Sequence, residues 1–253
     1  MKKNKKNQPH FIFHLIPNMV TLFNLFSGFL SIMMSMEGKL VSAAWLILIA
    51  LVWDSLDGNI ARILKNPTAF GRELDSLADI VSFIVAPCVL AAKFWFFHFA
   101  PWTLFIFFFY LGCGAYRLAR FNIHPPVKYY FSGLPTPAAA ISLAMVILAC
   151  HKNEWNDSFL SLFMFIAFIL VLSFLMISNI PYPKLSAVKF DTWRSLFYTG
   201  LAGFLGALFL MNLETAYALL CFLFLFFAPS YTSKAHRLAL EAEQEILGKT
   251  TKP

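Results

Sequence analysis

The chain has 253 residues, of which 59% are hydrophobic and only 13% are charged. Because soluble domains carry about 25% charged residues, this composition excludes a soluble globular protein and indicates a multi-span membrane protein. The formal net charge is +7, but the basic residues lie in short loops and near the ends, without a basic face or a binding motif, which excludes a nucleic-acid-binding protein.

Crossing a bilayer takes about 20 apolar residues in a helix. Candidate spans lie at residues 16–36, 40–62, 75–98, 101–122, 134–150, 158–180, 195–211 and 213–230. We therefore predict an all-α integral membrane protein of about eight transmembrane helices. Because the last two segments are short and poorly separated, six or seven spans remain open. The domain boundaries are a basic N-terminus over 1–15, a membrane domain over 16–230 and a polar tail over 231–253.

The first span is predicted to begin with Pro17 and carries a stripe of polar and small residues on an otherwise apolar helix. The stripe consists of Asn18, Thr21, Asn24 and Gly28, which recur at helical spacing. Such a stripe either lets helices pack closely in lipid or lines a ligand pocket. The residues alone favour neither interpretation.

Four carboxylates lie in the next two apolar segments. Asp54 and Asp57 are three residues apart, and Asp75 and Asp79 are four apart, so each pair shares one helix face. An ionisable group at that depth costs about 3 kcal/mol on insertion scales, and it therefore predicts a functional site. Two such faces turned toward each other form an oxygen-rich pocket, which suits hard divalent cations such as Mg²⁺. A turn at Asn66-Pro67 is predicted to bring the pairs side by side.

The residues around these carboxylates suit a phosphate ligand. Gly58 and Gly71 remove side chains where a ligand would approach the backbone, and Arg62 offers a guanidinium fork. The whole stretch fits D-x2-D-G-x2-A-R-x8-G-x3-D-x3-D and resembles the signature of the CDP-alcohol phosphotransferases. The fixed positions are Asp54, Asp57, Gly58, Ala61, Arg62, Gly71, Asp75 and Asp79.

The resemblance implies an integral membrane enzyme with a helix bundle like that of the family. It implies that the first three aspartates bind metal ions, and that Asp79 is the catalytic base and contributes partly to metal binding. It also implies a pocket for the nucleotide of a CDP-linked lipid. Its predicted residues are Asn18, Thr21, Gly58, Ala61, Arg62 and Gly71.

The third span contains Pro87, which predicts a kink, and the fourth ends in YRLARFN, with Arg117 and Arg120 three residues apart. These arginines either anchor the helix end at the membrane boundary or bind an anionic group, a lipid phosphate or the carboxylate of the acceptor. Three segments, PNMVTLFNLFSGF, YRLARFN and FSGLPTPAAA, resemble the type II phosphatidylserine synthase branch, over about residues 15–145. The expected substrates are therefore CDP-diacylglycerol and L-serine, and the expected product besides phosphatidylserine is CMP.

Lys and Arg residues near short loops favour the cytoplasm, so both termini and the acidic site are predicted to face it across the cell membrane. The metal can be Mg²⁺, Mn²⁺ or Ca²⁺, two ions are expected, and family analogy implies a homodimer among membrane lipids. Other acceptors, namely glycerol 3-phosphate, inositol phosphate or choline, remain open. An alternative of another class is a divalent-cation transporter.

Overall fold

The computed structural model describes residues 9–63, 68–95, 103–123, 130–154 and 159–183. The two C-terminal predicted spans, the polar tail, the basic residues 1–8 and the loop 184–194 lie outside the described residues. The side chains of Ala61 and Arg62 also lie outside them, although both residues belong to a described helix. Span counts beyond the described helices therefore stay a prediction.

The first two helices, α1 (Pro9–Met36) and α2 (Leu40–Ile63), form a tightly connected hairpin. Gly38, at φ +80°, ends α1 in the left-handed conformation that glycine adopts without strain. The amides of Gly38 and Lys39 then close the helix end on the carbonyls of Ser35 and Met34, at 3.0 Å and 2.9 Å. The apolar span of this helix covers Pro17–Met36, which confirms the predicted span, and the helix itself extends back to Pro9, so that Pro17 lies inside α1. A proline removes only its own donor, and the surrounding turns can continue.

The third predicted span is a rod of three parts: α3 (Ala69–Asp79), a π-helical segment (Ile80–Val85) and α4 (Ala86–Phe94). It starts at Ala69 rather than Asp75, because the Thr68 hydroxyl caps the helix by accepting from the Gly71 amide at 2.9 Å. The π-helical segment ends at Val85, directly before α4, and Pro87 lies in the first turn of α4. The interruption predicted for this proline therefore falls on its N-terminal side, between the proline and Asp79.

The remaining described helices are α5 (Thr103–Ile123), α6 (Thr136–Lys152) and α7 (Phe159–Ile177). Two short strands, β1 (Tyr130–Ser132) and β2 (Pro181–Pro183), pair antiparallel, with Phe131 opposite Tyr182. This ribbon corrects the all-α prediction. Each strand has only three residues, and α6 and α7 separate the two strands in the chain, so no periodic pattern in the sequence predicts them.

Four described helices are long and apolar enough to cross a membrane. They cover Pro17–Met36, Leu40–Gly58, Ala69–Phe94 and Thr103–Ile123. On the α5 surface, Phe105 and Phe108 are 75% and 72% exposed, which is what a lipid-facing helix requires. The helices α6 and α7 are shorter but equally apolar. The protein is therefore a mostly helical membrane protein.

Gly28 brings α1 against the π-helical segment. A Cβ atom at Gly28 would lie 2.6 Å from the backbone Cα of Ser82, which cannot move independently of its helix. We expect Gly28→Ala to destabilise the protein by about 1–3 kcal/mol, the usual cost of overpacking. The measurement is the midpoint of thermal unfolding in detergent.

The matched control is Gly112→Ala on α5, where a Cβ atom would meet nothing within 4 Å. Alanine is the better helix former by about 1 kcal/mol, so this variant should be neutral or slightly more stable. Equal midpoints for the two variants would contradict the close contact at Gly28.

Candidate active site

The three aspartates Asp54, Asp57 and Asp75 meet between α2 and α3. Each offers a carboxylate oxygen, and these oxygens all lie within 4.8 Å of one another. Asp57 is 5% exposed, so this negative charge is enclosed rather than solvated. The predicted approach of the two acidic pairs is therefore confirmed for three of the four carboxylates.

Two carboxylate oxygens of these aspartates lack a hydrogen-bond donor in the described part of the chain. Asp57 Oδ2 and Asp75 Oδ1 are buried and have no hydrogen-bond partner among the described residues. Buried acceptors without a donor are costly, and neighbouring like charges add to that cost. A divalent ion would offset both, and an all-oxygen donor set is what Mg²⁺ and Mn²⁺ prefer. The residues present therefore fit a divalent metal.

Asp79 lies beside this group at the end of α3, one turn beyond Asp75. Its Oδ1 accepts a hydrogen bond from the Asn24 amide at 3.2 Å, and its carboxylate also neighbours Asp54. The carboxylate is held by an amide at one oxygen, and its second oxygen is left for another donor. This arrangement suits a general base, while the partial metal role of Asp79 stays a prediction.

The residues of α1 that are predicted to bind the nucleotide lie close to the acidic site. Asn18 Oδ1 lies 3.3 Å from where a Cβ on Gly71 would stand, at the N-terminus of α3. Thr21 and the Gly58 backbone are neighbours of the Asp57 carboxylate, and the Thr21 hydroxyl also donates to the Pro17 carbonyl at 3.1 Å. The fold thus brings Asn18, Thr21, Gly58 and Gly71 to one region. Their role in nucleotide binding stays a prediction.

Arg117 approaches the acidic site from α5. It is 6% exposed, and its Nη1 donates to the Thr136 hydroxyl at 3.1 Å. The charge of the guanidinium acts on Asp79 and Asp54, while its Nε is buried without a partner in the described part of the chain. Arg117 is therefore a buried cation with a donor left for an anionic ligand.

Arg120, one turn further along α5, has a different environment. Its Nη1 donates to the Ile177 carbonyl at 2.8 Å, and its Nη2 donates to the carbonyls of Ser132 and Ser178 at 2.9 Å and 3.1 Å. These bonds join the end of α5 to the end of α7 and to the loop before Gly133. Its predicted role in anion binding stays a prediction.

The family model for CDP-alcohol phosphatidyltransferases matches residues 14–178, which is more than half of the chain. The chain belongs to the CDP-alcohol phosphatidyltransferase family. The resemblance read from the aspartate motif is thereby confirmed, and so is the prediction of an enzyme over a cation transporter.

Similar proteins from a bacterium, an archaeon and yeast are named as serine O-phosphatidyltransferases or as archaetidylserine synthase. The CDP-diacylglycerol–serine O-phosphatidyltransferase of Helicobacter pylori is 35% identical over 203 residues, covering 79% of this chain and 84% of the relative. The archaetidylserine synthase of Methanothermobacter thermautotrophicus is 34% identical over 186 residues, covering 71% and 74%. The CDP-diacylglycerol–serine O-phosphatidyltransferase of Saccharomyces cerevisiae is 37% identical over 144 residues, covering 51% and 50%.

Three polar residues of the CDP-alcohol phosphatidyltransferase site were not predicted as site residues. Asn24 contacts Asp79, Thr136 accepts from Arg117, and Ser82 donates to the Asn24 carbonyl at 2.9 Å. Asn24 had a signal, since it belongs to the polar stripe of α1. Thr136 lies in FSGLPTPAAA, one of the segments that carry the resemblance, but it was not singled out there. Ser82 had no signal, because isolated hydroxyls in apolar helices are common packing residues.

Proposed function

We propose that this protein transfers a phosphatidyl group from CDP-diacylglycerol to the hydroxyl group of L-serine and releases CMP. The observation that carries the proposal is the enclosed group of Asp54, Asp57 and Asp75, whose carboxylate oxygens lie within 4.8 Å of one another beside Asp79. The names of the bacterial, archaeal and yeast relatives support serine as the acceptor.

In the proposed reaction, the three clustered aspartates and Asp79 have different roles. A divalent metal held by Asp54, Asp57 and Asp75, when bound, neutralises charge on the pyrophosphate and on the departing CMP. Asp79 takes the proton of the serine hydroxyl while that oxygen bonds to the phosphorus carrying the diacylglycerol. The bond from that phosphorus to the CMP oxygen breaks, and CMP leaves with the electron pair. No covalent enzyme intermediate is needed.

Substrate binding uses the residues around this centre. Asn18 and Thr21 on α1, with Gly58 and Gly71, line the nucleotide side, and the sequence motif assigns Ala61 and Arg62 to the same role. The proximity of Asn18 to Gly71 supports this assignment.

Arg117 binds the carboxylate of serine. Its burial, its Nε without a partner among the described residues, and its place beside Asp79 support this role. A guanidinium held by Thr136 would fix the amino acid so that its hydroxyl points toward Asp79. The bonds of Arg120 to the end of α7 favour Arg117 of the two arginines.

The enzyme acts in the cell membrane, with both termini and the acidic site facing the cytoplasm, where a soluble acceptor and CMP are found. The basic loops support this orientation. Two ions of Mg²⁺ or Mn²⁺ serve the site, with Ca²⁺ the third candidate, and the protein works as a homodimer by family analogy.

The experiment is CMP release by the purified protein with CDP-diacylglycerol and Mn²⁺ or Mg²⁺. L-serine is compared with glycerol 3-phosphate, inositol phosphate and choline. We expect release that depends on serine alone. Release that depends on another alcohol would keep the transferase and overturn serine as its acceptor.

A further inference from the structure

Asn24 differs from the buried serine residues of α1. Ser27 and Ser35 donate to carbonyls one turn back in α1, at 2.9 Å and 2.8 Å, and Ser31 donates to the Ala43 carbonyl on α2 at 2.8 Å. Their hydroxyls are thus satisfied by backbone, as packing residues are. Asn24 is fully buried, yet its side chain reaches a carboxylate of the active site.

The two ends of the Asn24 amide have distinct environments. The NH₂ group donates to Asp79 Oδ1, at 3.2 Å. The amide oxygen is then fixed on the other side. It is buried and has no hydrogen-bond partner within the described ranges of the chain.

The backbone beside this amide is rigid. The Asn24 carbonyl accepts from the Ser82 hydroxyl at 2.9 Å, and Gly28 lets the Ser82 backbone approach α1 closely. The side chain of Asn24 can therefore not turn away to find a donor elsewhere at low cost. A buried amide oxygen held in this way calls for a donor from a ligand.

The acceptor of the proposed reaction carries such a donor in the required place. In serine the amino and hydroxyl groups sit on adjacent carbons, so an acceptor whose hydroxyl reaches Asp79 presents its ammonium group next to it. The Asn24 oxygen belongs to the same amide that holds Asp79, and no described residue donates to it.

We propose that Asn24 is the residue that selects an amino alcohol, with its amide oxygen accepting from the ammonium group of serine while its NH₂ group positions Asp79. This inference rests on the proposed function, since it assigns part of the acceptor to that site. A hydroxy acid without the amino group would leave the Asn24 oxygen unpartnered, and it should be a poor acceptor for that reason.

The test compares L-serine with 3-hydroxypropionate, which is serine without its amino group, as acceptors in CMP release. In the unaltered protein we expect kcat/KM for serine to exceed that for 3-hydroxypropionate by at least about 100-fold. In Asn24→Leu, which has neither amide end, this ratio should fall below about tenfold. Asn24→Ser, which is smaller and cannot reach both partners, should show the same loss if the leucine variant does not fold.

The control is Ser27→Ala, one turn along α1, whose hydroxyl is satisfied by the Phe23 carbonyl. Its ratio should equal that of the unaltered protein. Binding of Mn²⁺, followed by electron paramagnetic resonance without substrates, should be unchanged in the Asn24 variants. A loss of Mn²⁺ binding there would overturn the proposal and make Asn24 a metal ligand.

The two proposals fail in different ways. Serine-dependent CMP release with the same ratio in the Asn24 variants would overturn the role of Asn24 and leave the proposed function intact. An absence of serine-dependent release from the unaltered, Mn²⁺-binding protein would overturn both.

Discussion

The Asp79→Asn protein is expected to keep its fold and its metal while losing turnover by about 100-fold to 10,000-fold, the usual contribution of a general base. The amide oxygen of the replacement can still accept from Asn24, so the local packing is preserved. What is lost is the oxygen that takes the hydroxyl proton. The measurement is CMP release at saturating serine, with Mn²⁺ binding followed on the same sample.

The matched control for this prediction is Glu73→Gln, which removes one acidic charge from an exposed position of the same helix. Its turnover should be that of the unaltered protein. Near-normal turnover of Asp79→Asn would contradict the base assignment. A parallel loss of Mn²⁺ binding would instead assign Asp79 mainly to the metal.

Replacement of Asp57 by asparagine is expected to remove metal binding and turnover together. Asp57 Oδ2 is buried and receives no hydrogen bond from the described residues, and an amide there offers a hard cation far less than a carboxylate does. We expect Mn²⁺ affinity to fall by at least about 100-fold, beyond what loss of a supporting residue costs. Electron paramagnetic resonance of free Mn²⁺ gives the affinity directly.

The metal content should decide whether the Asp57→Asn variant is less stable or more stable than the unaltered protein. With Mn²⁺ at 100 times its dissociation constant, binding stabilises the unaltered protein by about 2.7 kcal/mol, which the variant does not gain. In EDTA the order should invert, because the variant has one fewer buried like charge beside Asp54 and Asp75. Equal unfolding midpoints in both media would show that the aspartates hold no ion.

The sequence was sufficient to predict the aspartates at the centre of the site, but not the residues and helix ends around them. Ionisable residues at fixed spacing in apolar helices have few uses, so the meeting of Asp54, Asp57 and Asp75 followed from periodicity and the motif. The start of α3 was misplaced because the Thr68 cap, rather than apolar content, begins the helix. A capping hydroxyl is a weak signal beside a run of hydrophobic residues.

Contacts between distant segments were beyond sequence reasoning. Ser82 donates to the Asn24 carbonyl from the π-helical segment that follows Asp79. No amino-acid composition distinguishes such a segment from an α-helix, so the sequence did not predict it. The pairing of Phe131 with Tyr182 depends on where α6 and α7 return the chain. Arg117 and Arg120 share one motif, and only tertiary structure separates the arginine beside the carboxylates from the arginine at the end of α7.

The bonds of Arg120 also bear on how the protein is made. Its partners Ile177, Ser178 and Asn179 lie 57 to 59 residues later in the chain, so they leave the ribosome long after α5. The acidic centre on α2 and α3 lies in a part of the chain that is made before these partners of Arg120. A chain that stops before α7 would contain the aspartates but would lack the carbonyls of Ile177 and Ser178 that hold Arg120. The end of α7 is thus needed to anchor the C-terminal end of α5.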